Sequence, residues 1–270
     1  MDLNGRVLIT GGTSGLGLEL VRVFLDNGFE VIATGRRMIG MPEYKGRFSL
    51  YKVDFADLAG TSEVFRQICT AYEPDYVIYN AGILSPPGFT LTKDGFEYTF
   101  QVNFLAHFVA NEIIIRSRHS DKPMLSATVT SMAYRVAEPD FKLSFKSSEY
   151  RPWKAYSDSK YYLSLMSRYY SGKYPENRFR YISFDPGIFG SELYRTQEGL
   201  FRSIYQTGVR ILKKPVFSAR VLSEILMDSN IRNGAVYDIR KKIRNLSEPE
   251  TEINSKFWPD VLEKTSEFIS

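Results

Sequence analysis

Three tyrosine–lysine pairs in this chain stand four residues apart: Tyr150/Lys154, Tyr156/Lys160 and Tyr169/Lys173. On a helix that spacing puts both side chains on one face. A free phenol has a pKa of about 10, and a nearby ammonium stabilises the phenolate and brings that value toward neutrality. Such a pair can pass a proton to or from a substrate oxygen. Context separates the three. Pro152 interrupts the first pair and restricts Arg151 from helical geometry. The third lies beside Gly172 and Pro175, at a helix end. Only Tyr156-Ser157-Asp158-Ser159-Lys160 falls in the first turns of a long apolar helix, expected from Trp153 to Ser171. The bland alternative is a surface Tyr–Lys pair.

A second chemical signature lies at the start of the chain. Thr10-Gly11-Gly12-Thr13-Ser14-Gly15-Leu16-Gly17 follows an expected strand (Arg6 to Thr10) and opens an expected helix (Gly15 to Asn27). Its spacing is G-x-x-x-G-x-G rather than G-x-G-x-x-G. Residues without Cβ let the backbone turn sharply and let a pyrophosphate approach. Backbone N–H groups and the helix dipole then hold the anion. The alternative, an ordinary Gly-rich loop, does not account for its place between strand and helix. The second strand, Glu30 to Thr34, runs into Gly35-Arg36-Arg37. A carboxylate there would accept the ribose hydroxyls of NAD(H). Here a guanidinium can pair a 2′-phosphate bidentately instead. NADP(H) is therefore expected over NAD(H), through Arg36 first and Arg37 second. Solvated surface charge is the competing reading of both arginines.

The elements that must position these groups follow from periodicity. Further strands are expected at Phe48–Val53, Tyr76–Tyr79, Met124–Ser131, Tyr181–Asp185 and Ala235–Tyr237, and further helices at Ala59–Tyr72, Gly95–Ile115, Ser218–Met227 and Asn254–Phe268. Strands alternating with helices imply an α/β fold: a doubly wound (Rossmann) parallel sheet of about seven strands with helices on both faces. No linker or composition break divides the chain, so residues 1–270 read as a single domain. Asn80-Ala81-Gly82 would then end the fourth strand, at the carboxyl edge where ligands bind in open sheets.

The glycine loop, Asn80-Ala81-Gly82, Asn103, Ser131 and Tyr156–Lys160, in this order, resemble the short-chain dehydrogenase/reductase family over most of the chain. The resemblance implies a nicotinamide cofactor and a carbonyl/alcohol oxidoreductase, with Tyr156 as acid/base. It implies that Lys160 also holds the nicotinamide ribose. Ser131 would hydrogen-bond the substrate oxygen, in preference to the neighbouring Thr130, and the alternative is a strand-end hydroxyl bonding its own backbone. Asn103 would support a proton-relay water near the lysine. Asp54, with Phe55, would lie at the adenine edge. Asp185-Pro186-Gly187-Ile188 would turn against the nicotinamide carboxamide, with Ser191 where the family usually carries Thr.

Leu91-Thr92-Lys93-Asp94-Gly95-Phe96-Glu97 and Val102-Asn103-Phe104-Leu105-Ala106-His107-Phe108 resemble the retinol dehydrogenase and protochlorophyllide reductase branch, although Ala106 replaces a usual Gly. That branch implies NADP(H) and apolar substrates. Two apolar segments would form the substrate wall: Tyr134 to Tyr150, with Phe141, Leu143 and Phe145, and a lid around 190–214, with Leu193, Tyr194, Leu200, Phe201 and Tyr205. Packing under a lid is the other reading of these aromatics. Tyr161, Tyr162, Leu165, Met166, Tyr169 and Tyr170 make the tyrosine helix too apolar for one buried stripe. A homodimer contact or packing within the chain would cover the second face.

Bulk properties exclude other classes. There are 35 Lys+Arg against 31 Asp+Glu, a formal charge of +4, with the basic residues scattered; no nucleic-acid partner is expected. The only cysteine, Cys69, fits a reducing compartment and sits in an apolar helical pattern. The first strand starts close to Met1, so no signal peptide is expected. No apolar run reaches membrane-spanning length. A cytoplasmic protein acting on a small molecule is the expectation. Two histidines and one cysteine suggest no metal cluster, and His107 reads as a packed helix residue. A cofactor-binding sensor or scaffold without turnover is the alternative from another class. Such relatives usually lose the tyrosine or lysine that this chain keeps.

Overall fold

The computed structural model describes residues 5–187, 214–247 and 251–270. Among the described residues, eight strands form one sheet: β1 (Arg6–Ile9), β2 (Glu30–Gly35), β3 (Phe48–Lys52), β4 (Tyr76–Tyr79), β5 (Met124–Val129), β6 (Phe179–Asp185), β7 (Val236–Asp238) and β8 (Ile243–Arg244). Their order is β3-β2-β1-β4-β5-β6-β7-β8. The first seven are parallel, and β8 alone is antiparallel. Helices cover both faces, so the central strands are buried on both sides and carry runs such as Val7-Leu8-Ile9 rather than an alternating pattern.

On one face lie α1 (Gly15–Asp26) and α5 (Pro215–Leu226), packed against each other. Leu16, Leu20, Val21 and Phe24 recur at helical spacing and bury that side of α1. On the other face lie α2 (Leu58–Ala71), α3, α4 (Pro152–Lys173) and α6 (Thr251–Ile269). Helix α3 runs through Tyr98–Phe100, a π-helical turn at Gln101–Leu105, and Ala106–Ser117. It starts later than expected because Gly95 takes φ +84° in a turn, and Glu97 caps the helix by accepting from Thr99 N and Phe100 N.

Several expected boundaries shift. β5 stops at Val129, and Ser131 instead caps the 3-10 turn Met132–Val136. The eighth strand went unread because it is two residues long. It forms because Asp238 accepts from Arg240 N, Lys242 N and the Arg244 guanidinium, closing a tight turn.

The second apolar face of α4 is covered by α6 of the same chain. The Tyr169 and Trp258 rings stack at 4.2 Å between centroids, and Tyr162 stacks on Phe257 at 5.2 Å. Trp258 also stacks on Phe108 of α3 at 6.0 Å. Phe257 and Trp258 are both buried. The apolar character of α4 thus needs no second copy of the chain to explain it.

Trp258→Ala should lower the unfolding free energy by roughly 3–5 kcal/mol, the usual cost of truncating a large buried aromatic. Urea unfolding checks this. A loss under 1 kcal/mol would show that α6 is not part of the cooperative core.

Candidate active site

The chain runs outward from β1 to β3 and then returns to β4, so the order reverses between β1 and β4. A crevice opens there at the carboxyl ends of the strands. The glycine loop fills its floor. Gly11 has φ +68°, and a Cβ on it would stand 2.9 Å from Ala81 Cα. A Cβ on Gly17 would meet the Gly11 carbonyl oxygen at 2.1 Å. These two glycines let the loop, the first turn of α1 and the Asn80–Gly82 turn touch. Gly15 differs: its φ is +53°, and a Cβ there would meet nothing within 4 Å. Its freedom serves the turn, and the space beside it is open to a ligand. Ser14 places no side-chain cap on α1, and no acidic residue occupies the first turn. The helix N-terminus is therefore ready for an anion. Thr13 packs beneath Gly35, whose Cβ would come within 2.5 Å of it. Leu16 is buried and anchors the helix to the sheet.

Arg36 and Arg37 follow β2 directly, and both are exposed. A groove of about 500 Å³ opens beside Arg36 and is bounded by Val53, Asp54, Asp57 and Gly60. Asp54 is exposed and accepts from Ala56 N at 3.0 Å. Phe55 faces inward, edge-on to the His107 ring at 5.0 Å between centroids, so its side chain belongs to the core.

The residues expected at a reaction centre come together where α4 meets α3. Lys160 is buried, and its Nζ donates to Val129 O at 3.1 Å. Burial lowers its pKa from 10.5 to about 8. Tyr156 is also buried, one turn earlier on the same face. Asn103 lies in the π-helical turn, defined by Ala106 N donating to Gln101 O. Its Oδ1 accepts from Ile83 N at 2.8 Å, and its Nδ2 donates to Ile83 O and to Ser159 Oγ. A Cβ on Gly82 would lie 3.1 Å from Lys160 Nζ and 3.2 Å from Asn103 Oδ1. Asn80-Ala81-Gly82, Asn103 and Lys160 thus converge on one point.

Ser131 is half-buried, and its Oγ accepts from Ala133 N at 3.3 Å. Its hydroxyl serves the local turn, as the strand-end alternative anticipated, yet its proton can still be donated. Thr130 is fully committed: its Oγ1 donates to Lys160 O and accepts from Ser164 Oγ. The other Tyr–Lys pairs are engaged with other partners. Tyr150 donates to Pro86 O ahead of α4, and Lys154 pairs with Asp158. Tyr169 stacks on Trp258, while Lys173 lies 3.8 Å from Glu112.

Beyond β6, Gly187 takes φ +70° and donates to Asp185 Oδ1, while Ser218 Oγ donates to Pro186 O. Ile188 and Ser191 lie outside the described residues, as does the expected lid except for Lys214. Of the other expected wall, Phe141 packs on Tyr162 and Phe257, and Phe145 on Phe100. These rings join the core under α4 rather than lining the crevice. Met132 and Val136, on the turn that Ser131 caps, are exposed instead, as is Trp153, whose ring lies 6.4 Å from that of Tyr156. Cys69 sits with Tyr72, Pro74 and Ile114, at the opposite end of the strands. Burial pushes its thiol up to about 11. Among the described residues there is no His/Cys/carboxylate group that could hold a metal, and no helix long and apolar enough to cross a membrane.

Sequence reasoning missed Thr10, Ser159 and His107 as parts of this site. Thr10 Oγ1 accepts from Asn80 N and Ala81 N, and it contacts His107 Nε2 at 3.1 Å. The only signal in the sequence was the hydroxyl of Thr10 standing next to the glycine loop.

The family model described as short chain dehydrogenase matches residues 5–142, just over half of the chain. The chain belongs to this family. It is 23% identical to retinol dehydrogenase 13 of Mus musculus, covering 94% of this chain and 81% of that protein. It is 26% identical to the chloroplastic protochlorophyllide reductase B of Hordeum vulgare, covering 86% and 70%. Both relatives bear the names of the branch that the Leu91–Glu97 and Val102–Phe108 segments resemble. The Pseudomonas aeruginosa RhlG/NADP active-site complex matches with a TM-score of 0.65 at 19% identity, covering 88% of this chain and 95% of that one. 4-hydroxyisoleucine dehydrogenase complexed with NADH matches with a TM-score of 0.70 at 21% identity, covering 87% and 96%. At these identities the structural likeness carries the fold alone. As a member of this family the chain is an oxidoreductase acting on CH–OH or C=O groups with a nicotinamide dinucleotide.

The low pKa of Lys160 has a consequence for stability. Below pH 8 folded and unfolded chains both carry this proton, and the cost of burying the charge is fully present. Between about 8 and 10.5 the folded chain releases its proton first, and the cost fades. Lys160→Met should therefore make the cofactor-free protein more stable at pH 7, by up to roughly 3 kcal/mol. The gain should shrink as pH rises through that window. Denaturant unfolding at several pH values checks it, and a destabilised variant at pH 7 would refute the buried charge.

Proposed function

We propose that this protein moves a hydride between NADP(H) and a carbonyl or alcohol substrate with an apolar body, using Tyr156 as the acid/base. The observation that carries this reading is the convergence at Gly82. Lys160 Nζ and Asn103 Oδ1 would both lie near 3 Å from a single missing methyl, with Tyr156 one turn away. Once bound, the nicotinamide ring supplies or accepts the hydride. The chain's own groups do the rest. The loop Gly11 to Gly17, with Thr13, Ser14 and Leu16, seats the pyrophosphate on the α1 N-terminus. Asp54, Phe55 (through its backbone), Asn80, Ala81 and Gly82 bound the adenine and ribose. Pro186 and Gly187, with Ile188 and Ser191, bound the nicotinamide.

In the reducing direction the Ser131 hydroxyl donates to the substrate oxygen and holds it beside Tyr156. The phenol then passes its proton to that oxygen as the carbon gains a hydride. The phenolate left behind is stabilised by the Lys160 ammonium, which also holds the nicotinamide ribose. Asn103 fixes the backbone of Ile83 and supports a water; Lys160 passes a proton on to the Tyr156 phenolate, and that water replaces the proton on Lys160 from solvent. Desolvation suits this role. A partly desolvated ammonium interacts more strongly with a phenolate than one in water.

The NADP(H) preference is supported by Arg36, exposed at the end of β2 with Arg37, and by the lack of a carboxylate there. An apolar substrate is supported by apolar side chains exposed on the turn that Ser131 caps, Met132 at 45% and Val136 at 58%, and by Trp153 at 41%, whose ring lies 6.4 Å from that of Tyr156. Retinol dehydrogenase and protochlorophyllide reductase, by name, act on large apolar molecules, and the proposal extends that substrate class to this chain. We assign the whole chain to one domain, with the substrate lid around 190–214. A cytoplasmic setting accords with a single cysteine.

Tyr156→Phe should abolish turnover, by at least about a hundredfold, while NADPH binding stays within twofold. Fluorescence titration together with an assay on apolar aldehydes checks both, and a near-normal rate would remove Tyr156 from the mechanism. Arg36→Ala should weaken NADPH about tenfold or more and leave NADH nearly unchanged. Equal effects on the two would dismiss the 2′-phosphate contact.

A further inference from the structure

His107 is fully buried on α3, one turn after Asn103, and the reaction described above does not use it. Its hydrogen bonds admit one proton arrangement. Nδ1 lies 3.0 Å from Asn103 O, and a carbonyl can only accept, so Nδ1 carries the hydrogen. Burial, with the Lys160 charge nearby, drives the ring pKa down to about 3, so the ring is neutral and Nε2 is an acceptor. The partner of Nε2 is Thr10 Oγ1 at 3.1 Å, which must donate. The other acceptor near that hydroxyl, Ile78 O, is farther at 3.4 Å and already accepts from Thr10 N. With its proton turned toward His107, Thr10 Oγ1 presents its lone pairs to Asn80 N at 2.9 Å and Ala81 N at 3.0 Å. The imidazole also meets the rings of Phe55 and Tyr79 in edge-type contacts, at 5.0 and 5.6 Å between centroids.

We propose that His107 is a positioning residue that joins the dinucleotide cradle to the proton-transfer centre. Through Thr10 it sets the Asn80–Gly82 turn against the glycine loop, and through the Asn103 carbonyl it holds the π-helical turn that aims the Asn103 amide. A residue with only a donor or only an acceptor could serve one of these links but not both. The imidazole, held as the Nδ1–H tautomer, serves both across one ring. The part of this inference that concerns the cofactor rests on the proposed nicotinamide site, and the tautomer does not.

The test uses the full-length protein with 15N-labelled histidine. The chain has two histidines, so His119→Gln assigns the spectrum. The expected result is a neutral His107 with Nδ1–H, unchanged in charge from pH 8 to pH 5. Thr10→Val should shift the Nε2 resonance to that of an unbonded nitrogen, and Thr10→Ser should restore it. An Nε2–H tautomer, or titration near the ordinary value of 6.5, overturns the proposal. The second readout is NADPH affinity. His107→Phe and Thr10→Val should each raise Kd about tenfold, and the double variant no more than either, because both cut the same link. Additive losses near a hundredfold, or an unchanged Kd in both single variants, also overturn it. Should His107→Phe fail to fold, Thr10→Val against Thr10→Ser decides the affinity arm. Wild-type protein that binds neither NADPH nor NADH defeats the cofactor reading, while the spectrum still decides the role of His107.

Discussion

The architecture depends on one close approach: the backbone of Gly11 lies against Ala81, where a Cβ would stand 2.9 Å from the alanine Cα. Contact between these two turns is possible only with no side chain at the point of crossing. From it follow the rest of the crevice's dimensions. Gly17 must also lack a side chain, because the first turn of α1 passes over the Gly11 carbonyl. The Thr10 hydroxyl can then reach the N–H groups of both Asn80 and Ala81. Gly82, the last residue of that turn, reaches Lys160 and Asn103. A displaced glycine loop would therefore displace the contact of Gly82 with Lys160 and Asn103 as well.

The site places buried polar groups in a chain of partners rather than leaving them isolated. Asn103 uses its amide on Ile83 and Ser159. Thr130 and Ser164 tie the end of β5 to α4. Lys160 is the exception: a buried ammonium that donates to the Val129 carbonyl, with a pKa pulled down to about 8. Such a group opposes folding, and under the proposed mechanism it favours a phenolate, which is the usual conflict between stability and a preorganised site.

Residues that mark the branch turn out to carry scaffold duties. Asp94 Oδ2 accepts from Leu58 N at the start of α2 and from Gln101 Nε2 in the π-helical turn. Glu97 caps α3. These residues set where α2 and α3 begin, and so where Asn103 lies relative to β4. Their resemblance to retinol dehydrogenases reports how the helices are seated before it reports anything about substrate. Helix α6 completes that seating by closing the aromatic face of α3 and α4.

Much of this was legible in the residues themselves. Alternating strands and helices implied the doubly wound sheet, because a parallel crossover needs a helix and has one hand. Glycine spacing between a strand and a helix implied the cradle, because only that backbone admits the turn. Proline and glycine near the other Tyr–Lys pairs singled out Tyr156 and Lys160. What the sequence could not show was set by contacts distant along the chain. Phe141 and Phe145 read as a substrate wall, yet they pack on Phe257 and Phe100, because an aromatic side chain looks the same whether it faces a core or a cleft. The second face of α4 read equally well as a dimer contact until α6 was found lying on it. His107 read as packing alone, and only the fold brings Thr10 from 97 positions away to its Nε2. Local spacing determines which groups an element can present. Which of them meet, and which proton each one holds, is decided by the sheet order and the burial that come with the tertiary structure.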